Sequence, residues 1–117
     1  MKNFIRFSLI AVLISIIGSV ESVSQDIYTA VTDGNVQLFK QLLEKDPGLI
    51  NLKNPDKLTP LNLAAEQGQT EIAELLLNMG ADPSIGDNEN SQPINLAALN
   101  GHIPLLDLLL HHGVDID

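Results

Sequence analysis

The chain has 117 residues, 44% of them apolar and only 3% aromatic, with six basic residues against fifteen acidic ones and a formal charge of −9. That length suits one domain, and so few cations and aromatic platforms exclude a nucleic-acid binder, whose affinity rests on Lys and Arg at phosphates and on base stacking. Cysteine is absent, which excludes disulfide frameworks, Cys-based zinc sites, thiol nucleophiles and a cysteine-linked lipid anchor.

The N-terminal segment reads as an address. Lys2 and Arg6 precede Phe7–Val20, fourteen residues without a charge, and small and polar residues follow. This is the n-region, h-region and cleavage-region order of a secretory signal. Cleavage after Ser22 or after Ser24 satisfies the small-residue rule. A cut after Ser24 leaves 93 residues with four lysines, fourteen acidic residues and a formal charge of −10. A buried core helix and an uncleaved membrane anchor are the competing readings. Fourteen helical residues reach about 21 Å, short of the roughly 30 Å hydrocarbon core. The expectation is therefore a signal peptide over 1–24, export to periplasm or medium, and no membrane association after its removal.

From Ile27 to Asp46, "IYTAVTDGNVQLFKQLLEKD" predicts a first pair of short helices around Gly34. The second unit is plainer. Thr59 is an N-cap and Pro60 occupies the first helical position, where a missing N–H costs nothing. Leu61, Ala64 and Ala65 form an apolar stripe at helical spacing. Gly68 ends that helix, Thr70 is expected to cap the next, and Ile72, Leu75 and Leu76 form its buried stripe up to Gly80. Residues 81–91 lack an apolar period and are rich in Asp, Asn, Gly and Pro, which predicts a loop with a tight turn.

The third unit repeats the second at a shift of 33. Pro93, Asn95, Leu96-Ala97-Ala98, Gly101, Leu108-Leu109-Leu110, Gly113 and Asp115 stand where Pro60, Asn62, Leu63-Ala64-Ala65, Gly68, Leu75-Leu76-Leu77, Gly80 and Asp82 stand. The first unit matches the second at a shift of 34 through Ala30, Gly34, Leu38 and Leu42-Leu43. One helix pair cannot bury its apolar face alone, so the copies must stack and serve as one another's core.

"TPLNLAAEQGQTEIAELLLNMGADP" and "QPINLAALNGHIPLLDLLLHHGVD" resemble ankyrin repeats. The resemblance covers about Asp26 to Asp117 and implies an all-α ankyrin-repeat solenoid of stacked antiparallel helix pairs joined by tight turns, with repeats near 26–57, 58–90 and 91–117. Asn62 and Asn95 replace the family's usual His and are expected to hydrogen-bond across the turn. Lys57 and Asn90 occupy its turn-glycine position. Asn tolerates a left-handed backbone better than Lys, so the first turn, "NPDKLTP", is expected to depart from the family shape. Gln92 replaces the capping Thr and should cap less well.

Catalytic chemistry is not legible. Glu71 and Glu74 read as a solvated helix face, and no phosphate-binding loop or nucleophile elbow is present. Asp107 and His111 share a helix face, but the pair falls short of a metal-ligand set, so neither a metal nor a cofactor is expected. His102 is expected to make a loop hydrogen bond. Tyr28 and Phe39 are read as edge or core packing, with interface anchoring as the alternative.

The resemblance instead implies a protein-binding surface at turn tips and just before each helix-ending glycine. These positions are Thr32 and Asp33; Pro55, Asp56, Leu58, Glu66 and Gln67; Asn88, Glu89, Ser91, Leu99 and Asn100. Leu58 and Leu99 are the expected apolar anchors among carboxylates. The acidity predicts a protein partner with a basic patch. Self-association is the alternative, since "IPLLDLLL" is apolar beyond what one helix pair covers.

Overall fold

The computed structural model describes residues 19–114, with side chains from Asp26 onward. Residues 1–18, which carry most of the expected signal segment, lie outside the described residues. Among the described residues there are six α-helices: α1 (Ser19–Asp33), α2 (Val36–Lys45), α3 (Pro60–Gln67), α4 (Thr70–Asn78), α5 (Pro93–Leu99) and α6 (Ile103–His111). A 3₁₀ turn at Pro47–Asn51 follows α2. The expected cut points after Ser22 and Ser24 fall within the first two turns of α1.

The helices form two rows. α1, α3 and α5 pack side by side in one row, and α2, α4 and α6 in the other, with each antiparallel pair closed by a short corner. Alanine makes the first row close-packed: Ala30, Ala64, Ala65 and Ala97 are fully buried and let neighbouring backbones approach. The larger side chains fill the space between rows, with Ile27, Phe39, Leu43, Leu61, Ile72, Leu76, Ile94, Leu105 and Leu109 essentially without solvent contact. Tyr28 and Phe39 both belong to this core, and the Tyr28 hydroxyl donates to the Leu52 carbonyl oxygen.

Thr59 caps α3 as its sequence predicts. Its hydroxyl accepts from the Asn62 N–H at 3.1 Å, and Asn62 Oδ1 accepts from the Thr59 N–H at 2.9 Å. Asn62 also reaches across the turn, donating its amide to the Ile85 carbonyl at 3.0 Å from a fully buried position. In the third repeat Asn95 Oδ1 accepts from the Gln92 N–H at 3.1 Å, while the Gln92 amide turns away to the Ser84 carbonyl. Two expectations need correction. Gln69, not Thr70, is the N-cap of α4, because its backbone is still non-helical (φ −81°, ψ 78°), and Thr70 is already the first helical residue.

The second correction concerns the turns. Lys57 adopts φ 66° and Asn90 φ 65°, and the two turns have the same shape. Each is held by the residue three positions earlier. Asn54 Oδ1 accepts from the N–H groups of Asp56 and Leu58 at 3.0 and 2.9 Å. Asp87 Oδ1 accepts from those of Glu89 and Ser91, both at 2.9 Å. Four-residue backbone bonds close both tips, Asn54 to Leu58 and Asp87 to Ser91. This side-chain cradle overrides the mild left-handed penalty on lysine.

Candidate functional site

The two turn tips, 54–58 and 87–91, stand beside the α1–α3–α5 row and leave a trough between tips and helices. Its first part is a depression of about 360 Å³ lined by Tyr28, Thr29, Thr32, Asn54, Asp56, Leu58, Leu63 and Glu66. Its second part, about 550 Å³, is lined by Pro55, Asp56, Lys57, Leu58, Glu66, Asp87 and Asn88. Asp56, Leu58 and Glu66 belong to both, so the two parts are continuous.

Six of the sequence-predicted residues thus come together: Thr32, Pro55, Asp56, Leu58, Glu66 and Asn88. The other six line neither depression. Asp33 and Gln67 are exposed at helix ends, and Glu89 is exposed on the second tip. Ser91 is half-buried, its N–H held by Asp87. Asn100 terminates α5, with its amide donating to the Leu96 carbonyl at 2.8 Å. Leu99 projects from α5 at the position that Glu66 takes on α3 and is 83% exposed. Leu58 is not the freely exposed anchor expected of it. It is half-buried against the core, because Asn54 pins its N–H and draws the tip onto the helices.

Tyr28 was read from sequence as packing with interface anchoring as the alternative, and Asn54 and Asp87 were not singled out for this surface. The spacing held a usable signal for the last two: both stand three residues before the left-handed position, 33 apart. An aromatic at that point of a helix is equally a core residue, and Tyr28 is both buried and part of the lining of the first depression.

The trough is acidic. Asp56, Glu66 and Asp87 face it with Lys57 as the cation of its lining. Asp87 is committed to the backbone of its own tip. Asp56 and Glu66 bond through their backbones, Asp56 by its N–H to Asn54 and Glu66 by its carbonyl to His102, which leaves both carboxylates to solvent. At the floor, burial pushes the Tyr28 hydroxyl up to about 12.

Other candidate chemistry does not converge. Glu71 and Glu74 lie with Val36, Lys40, Leu75 and Asn78 on a shallow depression of about 180 Å³ between α2 and α4. His111 Nδ1 meets the Asp107 backbone carbonyl at 2.8 Å, not its carboxylate. Among the described residues no three His, Asp or Glu side chains come together as a metal-ligand group. No described helix is long and apolar enough to cross a membrane.

A two-row solenoid of helix pairs with projecting turns defines a repeat protein. Residues 27–117 match the family model for ankyrin repeats (3 copies), and the chain belongs to the ankyrin repeat family. Among known proteins it is 43% identical over 63 residues to "Ankyrin repeat and SAM domain-containing protein 6" of Rattus norvegicus, covering 54% of this chain and 7% of that protein. It is 38% identical over 68 residues to "ARF GTPase-activating protein GIT1" of Homo sapiens, covering 57% of this chain and 9% of that one. A match to "Serine/threonine-protein kinase VIK" of Arabidopsis thaliana is 40% identical over 48 residues, 41% of this chain and 11% of the kinase. The alignments therefore take in 7% to 11% of these relatives' lengths. Ankyrin repeats generally mediate protein–protein interaction, and the family is typically non-catalytic.

Proposed function

We propose that this chain is an exported, non-catalytic module that binds a partner protein through the trough between its turn tips and its α1–α3–α5 row. The observation that carries the reading is the shared wall of Asp56, Leu58 and Glu66. It places an apolar side chain between two carboxylates that the fold leaves to solvent. A partner surface carrying Lys or Arg would complement it, and the association would weaken with salt. The surface stands on packed helices and side-chain-braced turns, so docking would order little new chain. Export rests on the Lys2/Arg6 start and the uncharged run that follows.

Affinity capture from the exported fraction of the source cell tests this, with wild-type chain against an Asp56→Lys/Glu66→Lys variant that reverses both carboxylates of the shared wall. Retention of a protein by wild type alone supports trough binding. The same set on both baits places binding elsewhere. A second reading, self-association, is favoured by Ile103 and Leu110, which are 58% and 40% exposed on α6. A mass that rises with concentration would support it.

A further inference from the structure

Equivalent positions in successive repeats differ in what covers them. Val31 and Ala65 are fully buried, and Ala98, their counterpart in the third repeat, is exposed. Phe39 and Ala73 are fully buried, and their counterpart Leu106 is half-buried. Thr70 and Leu77 are half-buried, whereas their counterparts Ile103 and Leu110 are 58% and 40% exposed. These positions mark the side of a repeat that the following repeat covers. On α6 that side is a stripe of Ile103, Leu106 and Leu110 at i, i+3 and i+7. It is more apolar than the corresponding Thr70, Ala73 and Leu77 of α4.

The side of a repeat that meets the preceding one behaves differently. Leu63 lines a depression with Tyr28 and Thr32, and Leu75 lines one with Val36 and Lys40, so both are turned toward the first repeat. Their counterparts in the first repeat are Thr29 and Gln41, both exposed. Head-to-tail stacking of copies would therefore press the α6 stripe onto a hydroxyl and an amide, a poor match. The stripe matches itself better. Neither it nor the neighbouring α5 positions Asn95 and Ala98 carry charge, in a chain of formal charge −9. Asp107 takes the place of Glu74, which lines the depression on the side of the preceding repeat. We infer that the α6 stripe docks on the same stripe of a second copy, forming a two-fold symmetric dimer. Two like-charged chains then meet along a surface free of carboxylates and remove apolar area from water. With the two α6 helices antiparallel, Leu106 faces Leu106 of the other copy near the axis, and Ile103 faces Leu110. The contact closes at two copies, because each stripe is then covered. This inference rests on the self-association reading above and does not involve the trough.

Sedimentation equilibrium of the full chain tests this. One helix per copy makes a small interface, so the mass should rise from one chain to two across roughly 1 μM to 1 mM and stop there. Added salt should favour the dimer by screening the like charges, the opposite of its expected effect on trough binding. Ile103→Glu/Leu110→Glu should weaken the dimer at least about tenfold. Ile103→Thr, which copies α4 at that place, should weaken it about threefold and keeps the test sound if the double variant folds poorly. Asp56→Lys/Glu66→Lys should still dimerise. The chain has no cysteine, so a single introduced one can pair only with its own counterpart, which requires a nearby two-fold axis. Leu106→Cys should therefore oxidise to a covalent dimer, and Gln41→Cys should not. A mass that stays at one chain overturns both the stripe and self-association. A mass that rises equally in folded Ile103→Glu/Leu110→Glu leaves self-association standing and overturns the stripe. Growth beyond two copies, or cross-linking through Gln41→Cys in place of Leu106→Cys, overturns the two-fold arrangement.

Discussion

His102 Nε2 lies 2.9 Å from the Glu66 carbonyl oxygen, so the ring donates to the last turn of the preceding inner helix. The ring fits because Gly68 has no Cβ: one built there would sit 2.6 Å from His102 Nδ1. Gly68 also holds φ 72°, a left-handed conformation costly for residues with a Cβ. Gln69 makes the same reach one repeat earlier, donating to the Thr32 carbonyl at 3.3 Å. The repeats are thus clasped by a side chain just after each helix-ending glycine.

Gly68→Ala should therefore destabilise the chain by about 2–3 kcal/mol, combining backbone strain with the ring clash. His102→Ala should cost about 1 kcal/mol, as expected for one exposed hydrogen bond and its packing. His102→Gln should be near neutral, because Gln69 already performs the role. In the double variant Gly68→Ala/His102→Ala the clash disappears, so the losses should fall short of additive. Urea unfolding of the four proteins measures this, and strict additivity would contradict the clasp.

Asn62 and Asn95 occupy equivalent sites with unequal consequences. Asn62→Ala strands the buried Thr59 N–H and the Ile85 carbonyl and should cost about 3 kcal/mol. Asn95 is exposed and braces only the Gln92 N–H, so Asn95→Ala should cost about 1 kcal/mol or less. Equal losses in chemical unfolding would show that the two faces are equally buried in solution.

Lys57→Asn should stabilise the chain by about 0.5 kcal/mol, because Asn tolerates the left-handed backbone that Lys57 adopts at φ 66°. Asn54→Ala should cost about 1–2 kcal/mol through loss of two backbone contacts. In the Asn54→Ala background the benefit of Lys57→Asn should shrink, since the turn is no longer held in that shape. Thermal melts of the three variants decide it.

Tyr28 is the chain's one tyrosine, so its ionisation can be followed directly by absorbance. Burial raises the folded hydroxyl to about 12 from an ordinary 10.0. Below pH 10 both states keep the proton. Between pH 10 and 12 the unfolded chain releases it while the folded chain retains it, so stability falls with rising pH across that window. Tyr28→Phe should lose about 1 kcal/mol at neutral pH with the Leu52 bond, and should show a flatter alkaline decline. A tyrosine titrating near 10 in the folded chain would place the hydroxyl in water.

Periodicity alone determined the helix pairs, their stacking and the inner and outer faces. Ala64, Ala65, Ile72 and Leu76 recur at helical spacing and at a 33-residue shift, and burial follows from that repetition without knowledge of any distant contact. The candidate surface was legible only in part, because its positions are surface positions and carry no periodic signal. Thr32, Asp56 and Glu66 were placed by resemblance to a repeat pattern. What they share a wall with was not.

The rest depended on contacts between units that sequence order does not encode. Asn54 braces Lys57 into a turn that lysine's own preference disfavours, and that same brace draws Leu58 onto the core. Gln69 and His102 look like loop residues until the neighbouring repeat supplies a carbonyl within reach. Leu99 reads like any leucine of an amphipathic helix, yet it is 83% exposed while Leu96 on the same helix is buried. Local spacing determines which residues share a face. What each face meets is decided only when the repeats are stacked, because burial and hydrogen-bond satisfaction belong to the pair of surfaces and not to either one.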